Sequence, residues 1–191
     1  MLRVGSLQIP LMVLFPMFVW MSAAPPSIAS SCGMERWPVK VMADSDVLRV
    51  DTVPVATSVT ELGDMPRPIR RLAENHRVSP SELTVWRLRA RLRQVIVESD
   101  RDWHLVLEDT EDSTRTMIGE IPDSACAEGS RYGGRFAEAR RELRAMPRDA
   151  IIELDGVGFF DFLHGQRGVA PNGFELHPIL SIRLVATGQL P

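Results

Sequence analysis

"LTVWRLRARLRQVIVE", residues 83–98, is the stretch whose reading decides the fold. Trp86, Leu88, Ala90 and Leu92 fall on one parity, and Arg87, Arg89, Arg91 and Arg93 on the other. A side-chain period of two, sustained over about twelve positions, is that of a long strand with one face in a core and one in solvent.

Toward the C-terminus the same period returns. After the turn "ESDR", the stretch "DWHLVLED" (102–109) places Trp103, Leu105 and Leu107 inward and Asp102, His104 and Val106 outward. "RTMIGEIP" (115–122) reads as a third strand, with Met117, Gly119 and Ile121 on one face and Thr116, Ile118 and Glu120 on the other. In "SRYGGRFAEARRELRAMP" (130–147) the period changes: Phe136, Ala139, Leu143 and Met146 recur at helical spacing, and Pro147 stops the pattern. Strand alternation resumes in "AIIELDGVGFFDF" (150–162), with Ile152, Leu154, Phe160 and Phe162 inward. Gly156 and Gly158 mark a bend or a close backbone approach. The last strand is "FELHPILSIRLV" (174–185), with Leu176, Leu180, Ile182 and Leu184 inward and Glu175, His177, Ser181 and Arg183 outward.

Three strands, a helix and two strands, opened by a long curved strand, is the order of a five-stranded Greek-key barrel of the OB-fold kind. The alternative is an α+β open meander with the helix on one face of the sheet. Three segments follow: an export signal over 1–31, an N-terminal arm with loops over 32–82, and the barrel over 83–187. Within the arm, an extended segment is expected near Val39 to Met42 and a helical turn at Thr60 to Leu62.

The export reading rests on Arg3 followed by the uncharged run Leu7 to Met21, then "SAAPPSIASS". That run is short for a membrane span, so no span is expected after cleavage; an uncleaved N-terminal anchor is the alternative. In an oxidising compartment the only two cysteines, Cys32 and Cys126, are expected to pair, the alternative being two buried thiols. With 22 basic and 25 acidic side chains the net charge is −3, so the chain lacks the global field of a general nucleic-acid binder.

"CGMERWPVKVMAD" (32–44), "ESDRDWHLVLED" (98–109), "MIGEIPDSAC" (117–126) and "GFFDFLHGQRGVAPNGFELHPIL" (158–180) together resemble a group of exported bacterial proteins. Those proteins share a CGxERWxVK opening and a GxFFDxxHGxxGxAPNGxELHPVL ending. Val95 to Val97 depart from the more polar stretch expected there. The resemblance implies export and a single folded domain, and brings no activity or substrate with it.

Two constellations are candidate ligand-binding groups. Asp102, His104 and Glu120, with Asp100 beside them, share the outer face of the second and third barrel strands, the usual ligand face of this fold. His104 opposite Glu120 would make a cross-strand pair in which the carboxylate raises the imidazole pKa; the competing reading is a pair that only holds register. Asp161, His164, Glu175 and His177 form the second group, with oxygen and imidazole donors suited to Zn²⁺ or Mn²⁺. No HExxH or CxxC pattern accompanies them, and a hydrogen-bonded loop anchor is the competing reading. The stripe Arg87, Arg89, Arg91 and Arg93 is a weak candidate for nucleic acid or another polyanion, with Trp103 or Phe159 for stacking; pairing with Glu153 and Asp155 is the alternative. No GxSxG elbow, phosphate loop or dinucleotide fingerprint is present. The sequence thus favours an exported, monomeric binding module for an unidentified ligand. A divalent-metal-dependent hydrolase of phosphodiesterase or nuclease type and a structural envelope protein are the alternatives.

Overall fold

A computed structural model describes residues 32–33, 35–69, 72–163 and 165–185, together with Met1. The export signal and His164 lie outside the described residues. Six strands form: β1 (Asp51–Thr57), β2 (Thr84–Val97), β3 (Trp103–Asp109), β4 (Thr116–Ile121), β5 (Ile151–Phe160) and β6 (Phe174–Leu184). Three helices accompany them: α1 (Trp37–Lys40), α2 (Val59–Gly63) and α3 (Gly133–Arg144).

The length of β2 is what closes the barrel. Its residues 85–91 pair antiparallel with β5, and residues 90–97 pair antiparallel with β3. β3 continues to β4, β4 runs parallel to β6, and β6 returns antiparallel to β5, giving a closed five-stranded mixed barrel of OB type. Leu88, Ala90, Leu105, Leu107, Met117, Ile152, Leu154 and Leu176 fill its interior, as the alternation requires. α3 lays Phe136, Ala139 and Leu143 against the same core. At Gly158 a side chain would collide with the Ser81 carbonyl and the Phe174 ring, so the close approach expected of a strand glycine is real.

Several local expectations change. Val39 to Met42 are not extended: Pro38 starts the single turn of α1, and Val39, Val41 and Met42 are all buried, where a surface strand would bury alternate residues. β1 carries no readable alternation because it joins the β2 edge in parallel with most of its side chains in solvent, Val53 among them. Phe162 and Leu184, read as inward, are exposed: Phe162 lies beyond the end of β5, and Leu184 is the last residue of β6, where its rung with Ile152 ends the ladder. The turn at Thr60 to Leu62 is α2, opened by a capping box in which Ser58 and Glu61 exchange hydrogen bonds.

Charge as well as apolar contact orders the arm. The turn before β1 is organised by Asp46, whose Oδ2 accepts from Arg77 N (3.0 Å) and whose Oδ1 accepts from Arg49 Nη1 (2.8 Å). The Arg77 amide, then Arg49, hold this carboxyl down to about 2 from an ordinary 3.8. A depressed carboxyl stabilises the fold fully above its unfolded pKa and loses that contribution as pH falls through its folded one. Stability should therefore decline between about pH 4 and about pH 2, and Asp46→Asn should flatten that part of the curve. Urea midpoints of the two proteins compared at about pH 5 and about pH 2.5 measure the difference; parallel curves would contradict it.

Candidate functional site

Two pairings bring the candidate groups together. The antiparallel register of β3 and β4 sets His104 opposite Glu120, and His104 Nδ1 lies 3.1 Å from Glu120 Oε1. The parallel register of β4 and β6 sets Ile118 beside Glu175 and Gly119 beside Leu176, so one residue further on Glu120 meets His177. His177 Nδ1 is 3.1 Å from Glu120 Oε2 and 3.2 Å from Glu175 Oε1, while its Nε2 is 3.3 Å from Asp102 Oδ2. Asp102, His104 and Glu120 of the first constellation and Glu175 and His177 of the second thus form one cluster, with Glu120 at its centre.

The outer face of these strands is covered. His104 Nε2 donates to the Arg167 carbonyl (2.9 Å), which draws the 161–173 loop across β3. Gly168 takes a left-handed φ of +83° where a Cβ would sit 2.7 Å from the Val106 side chain, so the strap can lie flat only with glycine there. Asn172 fastens the far end, donating from Nδ2 to the carbonyls of Leu62 (2.8 Å) and Met65 (3.0 Å). Val106 is outward by parity and yet buried for this reason; Glu175 and His177, also outward by parity, are buried as well, with the Phe159 ring against His177.

From the other side the arm delivers Lys40. Its ammonium lies 3.9 Å from Asp161 Oδ1 and 5.3 Å from the centre of the Phe159 ring. Behind it Arg36 forms a two-pronged pair with Glu82 at 2.8 and 2.7 Å, both side chains fully buried. The disulfide between Cys32 and Cys126, across a sequence separation of 94, ties the beginning of the arm to the turn after β4.

Between arm, strap and strands a cleft of about 390 Å³ remains, lined by Cys32, Gly33, Glu35, Lys40, Glu98, Ser99, Asp100, His104, Glu120, Asp161 and Gln166. Asp102, Glu175 and His177 lie beneath it, fully or almost fully buried. A hollow of similar size, about 410 Å³, lies between β2 and the end of α3, but brings no carboxylate or imidazole together.

Electrostatics follows from that packing. Burial opposes charge on His104, but the Glu120 hydrogen bond and the Arg167 carbonyl outweigh it and raise its pKa. The geometry agrees: each ring nitrogen faces an atom that only accepts, so both must donate. His177 is more deeply buried, and Glu120, Asp102 and Glu175 nevertheless raise its pKa well above the ordinary value. Burial and the charge of Glu120 push Glu175 up to about 7, while Glu120 itself, against the cost of burial, is held below the usual carboxylate range by His177 and His104. Burial, then Asp102, raises Asp100. On Lys40 burial acts downward, but Glu175, Asp161 and further carboxylates raise the ammonium pKa. The cluster is a proton-rich network in which carboxylates still outnumber cations.

Of the residues proposed from sequence, the structure joins Asp102, His104, Glu120, Asp161, Glu175 and His177 around this cleft; His164 is outside the described residues. Lys40 was not foreseen, nor were the buried pairs Arg36–Glu82 and Arg77–Asp44. The arginine stripe lies elsewhere on the barrel. Arg87 pairs with Asp155 (2.7 Å) and Arg93 with Asp149 (2.6 Å), while Arg91 and Arg93 share Glu108. Neither aromatic offered for stacking is open: Phe159 is fully buried under Arg36, and Trp103 is covered by Arg140 and Arg144.

Fold and site together define a closed OB-type barrel carrying an acid-rich cleft. No protein-family model matches the chain, and no curated protein matches it in sequence. Among solved structures it is similar to a chain assigned as an aspartyl-tRNA synthetase from Leishmania major Friedlin, at 13% identity and a TM-score of 0.39. That similarity covers 71% of this chain and 21% of the other.

Proposed function

We propose that this protein is an exported binding module that captures a small cationic ligand in the cleft over β3 and β4. The observation that carries the reading is the lining itself. Glu35, Glu98, Asp100, Glu120 and Asp161 face Lys40 and His104, and Asp102 and Glu175 lie below them. Carboxylates in a recessed, poorly solvated site focus a negative potential and concentrate cations. The same potential repels a polyanion, and Arg87, Arg91 and Arg93 are paired with neighbouring acids. Export is supported by the Cys32–Cys126 bond and by the resemblance to exported bacterial proteins; among the described residues no helix is long and apolar enough to cross a membrane.

Thermal unfolding with added probes tests this reading. Spermidine or Mn²⁺ at about a hundredfold excess over its Kd should raise Tm by about 5–10 °C, because ligand binding to the folded state alone adds about 2.7 kcal/mol. A single-stranded oligonucleotide should leave Tm unchanged. Stabilisation by the oligonucleotide that fades with salt, and none by either cation, would reverse the assignment.

A further inference from the structure

We infer that the floor of the cleft is a divalent-metal site formed by Asp102, Glu120 and His177, which takes a first-row ion of the Zn²⁺ or Mn²⁺ kind. The inference rests on the reading of the cleft as a cation site and names the cation. One ligand atom from each of these three residues lies within 4.8 Å of the others. Acidic clusters are common without metals, so proximity alone decides nothing.

Two buried atoms carry the argument. Asp102 Oδ2 and His177 Nε2 have no hydrogen-bond partner among the described residues, although both side chains are wholly removed from solvent. They lie 3.3 Å apart, close enough to bond, yet misaligned for it. Buried polar atoms are rarely left so, since each orphan costs about 1–3 kcal/mol. A separation of 3.3 Å is also the distance between two ligands held about 2.0–2.1 Å from a shared tetrahedral ion, roughly 3.3 Å.

The surroundings select the same two atoms. His177 Nδ1 is hydrogen-bonded to Glu175 (3.2 Å), so a ring that donates there presents Nε2 as its ligand atom, the outer-shell pattern of metal-bound histidines. Asp102 Oδ1 accepts from Asp123 N (3.2 Å), which fixes the carboxylate and leaves Oδ2 facing the ring. Glu120 completes the set from the cleft side and remains the partly exposed member, the route by which an ion reaches the floor. One imidazole and two carboxylates are a donor set for Zn²⁺ or Mn²⁺; Ca²⁺ prefers six to eight oxygens.

The test is calorimetric titration of the metal-stripped full chain with Zn²⁺ and, separately, with spermidine. One equivalent of Zn²⁺ should bind, and Asp102→Asn should weaken it by more than about 100-fold, since even outer partners of a ligand are worth about 10–100-fold. Asn keeps the shape of Asp, and circular dichroism of the variant checks its fold. Should the variant fail to fold, X-ray absorption of the wild-type protein loaded with one equivalent of Zn²⁺ decides: the inference requires a single imidazole with oxygen donors. Substoichiometric Zn²⁺ binding, unchanged affinity in Asp102→Asn, or a shell without imidazole overturns the metal site. Spermidine binding that persists in that event leaves the cation reading of the cleft standing; loss of both overturns both.

Discussion

Glu82→Ala should lower the free energy of unfolding by about 3–5 kcal/mol, the usual cost of removing one partner from a fully buried ion pair. All five N–H donors of Arg36 are used: two on the Glu82 oxygens, and the others on the carbonyls of Ala73, His76 and Phe160 at 2.9–3.1 Å. Glu82 in turn accepts from the amides of Val78 (2.6 Å) and Phe160 (2.7 Å). Alanine would strand a guanidinium and two amides away from water. Glu82→Gln keeps the shape and some of these bonds, and should cost less. Because this pair holds the arm against the end of β5, Glu82→Ala should also loosen Lys40 and the rim of the cleft. Chemical denaturation of the three proteins measures the series; a loss below about 1 kcal/mol for Glu82→Ala would mean that water or a rearranged side chain replaces the carboxylate.

Reduction of the Cys32–Cys126 bond should destabilise the fold by about 4–5 kcal/mol, from the loop-closure entropy of a bridge spanning 94 residues. The native protein gives up few other contacts, because the exposed Cys32 end is held by Trp37 Nε1 donating to the Cys126 carbonyl (3.2 Å). The effect therefore acts mainly on the unfolded chain. Cys32 and Gly33 also line the cleft, so the reduced protein should bind cations more weakly even where it remains folded. Guanidinium unfolding with and without dithiothreitol, alongside a Cys32→Ser, Cys126→Ser double variant, separates reduction from any effect of the reagent. Equal midpoints would show that the arm is held without the bond.

The disulfide was legible in the sequence, since Cys32 and Cys126 are its only cysteines, whereas the buried pair of Arg36 with Glu82 was not. Alternation in 83–98 and 102–109 exposes the barrel directly, because each strand there has one core face, and the helical period over 136–146 marks α3. His104 opposite Glu120 was equally accessible, since two neighbouring strands joined by a short turn allow register to be counted. The meeting of Glu120 with His177 was not: it depends on the parallel pairing of β4 with β6, whose segments are separated by α3 and β5. Buried charge has no period either. Arg36, Lys40 and Arg77 look like surface residues in a proline-rich arm, and only the fold reveals that each is buried against a carboxylate. Burial of the outer strand face was hidden for a related reason: the glycine-rich stretch 164–173 reads as a long connection, and the path of residues 165–173 over β3 is set by the His104–Arg167 and Asn172 contacts.

The central claim is that the acid-rich cleft is where this protein meets its ligand. A two-dimensional NMR titration of the isotope-labelled protein with spermidine tests it most directly. The account predicts saturable shifts concentrated at Gly33, Ser99, Asp100, His104, Glu120 and Gln166, lost when Asp100 is changed to Asn. Shifts that instead spread evenly over the exposed carboxylates, or that survive Asp100→Asn undiminished, would contradict it.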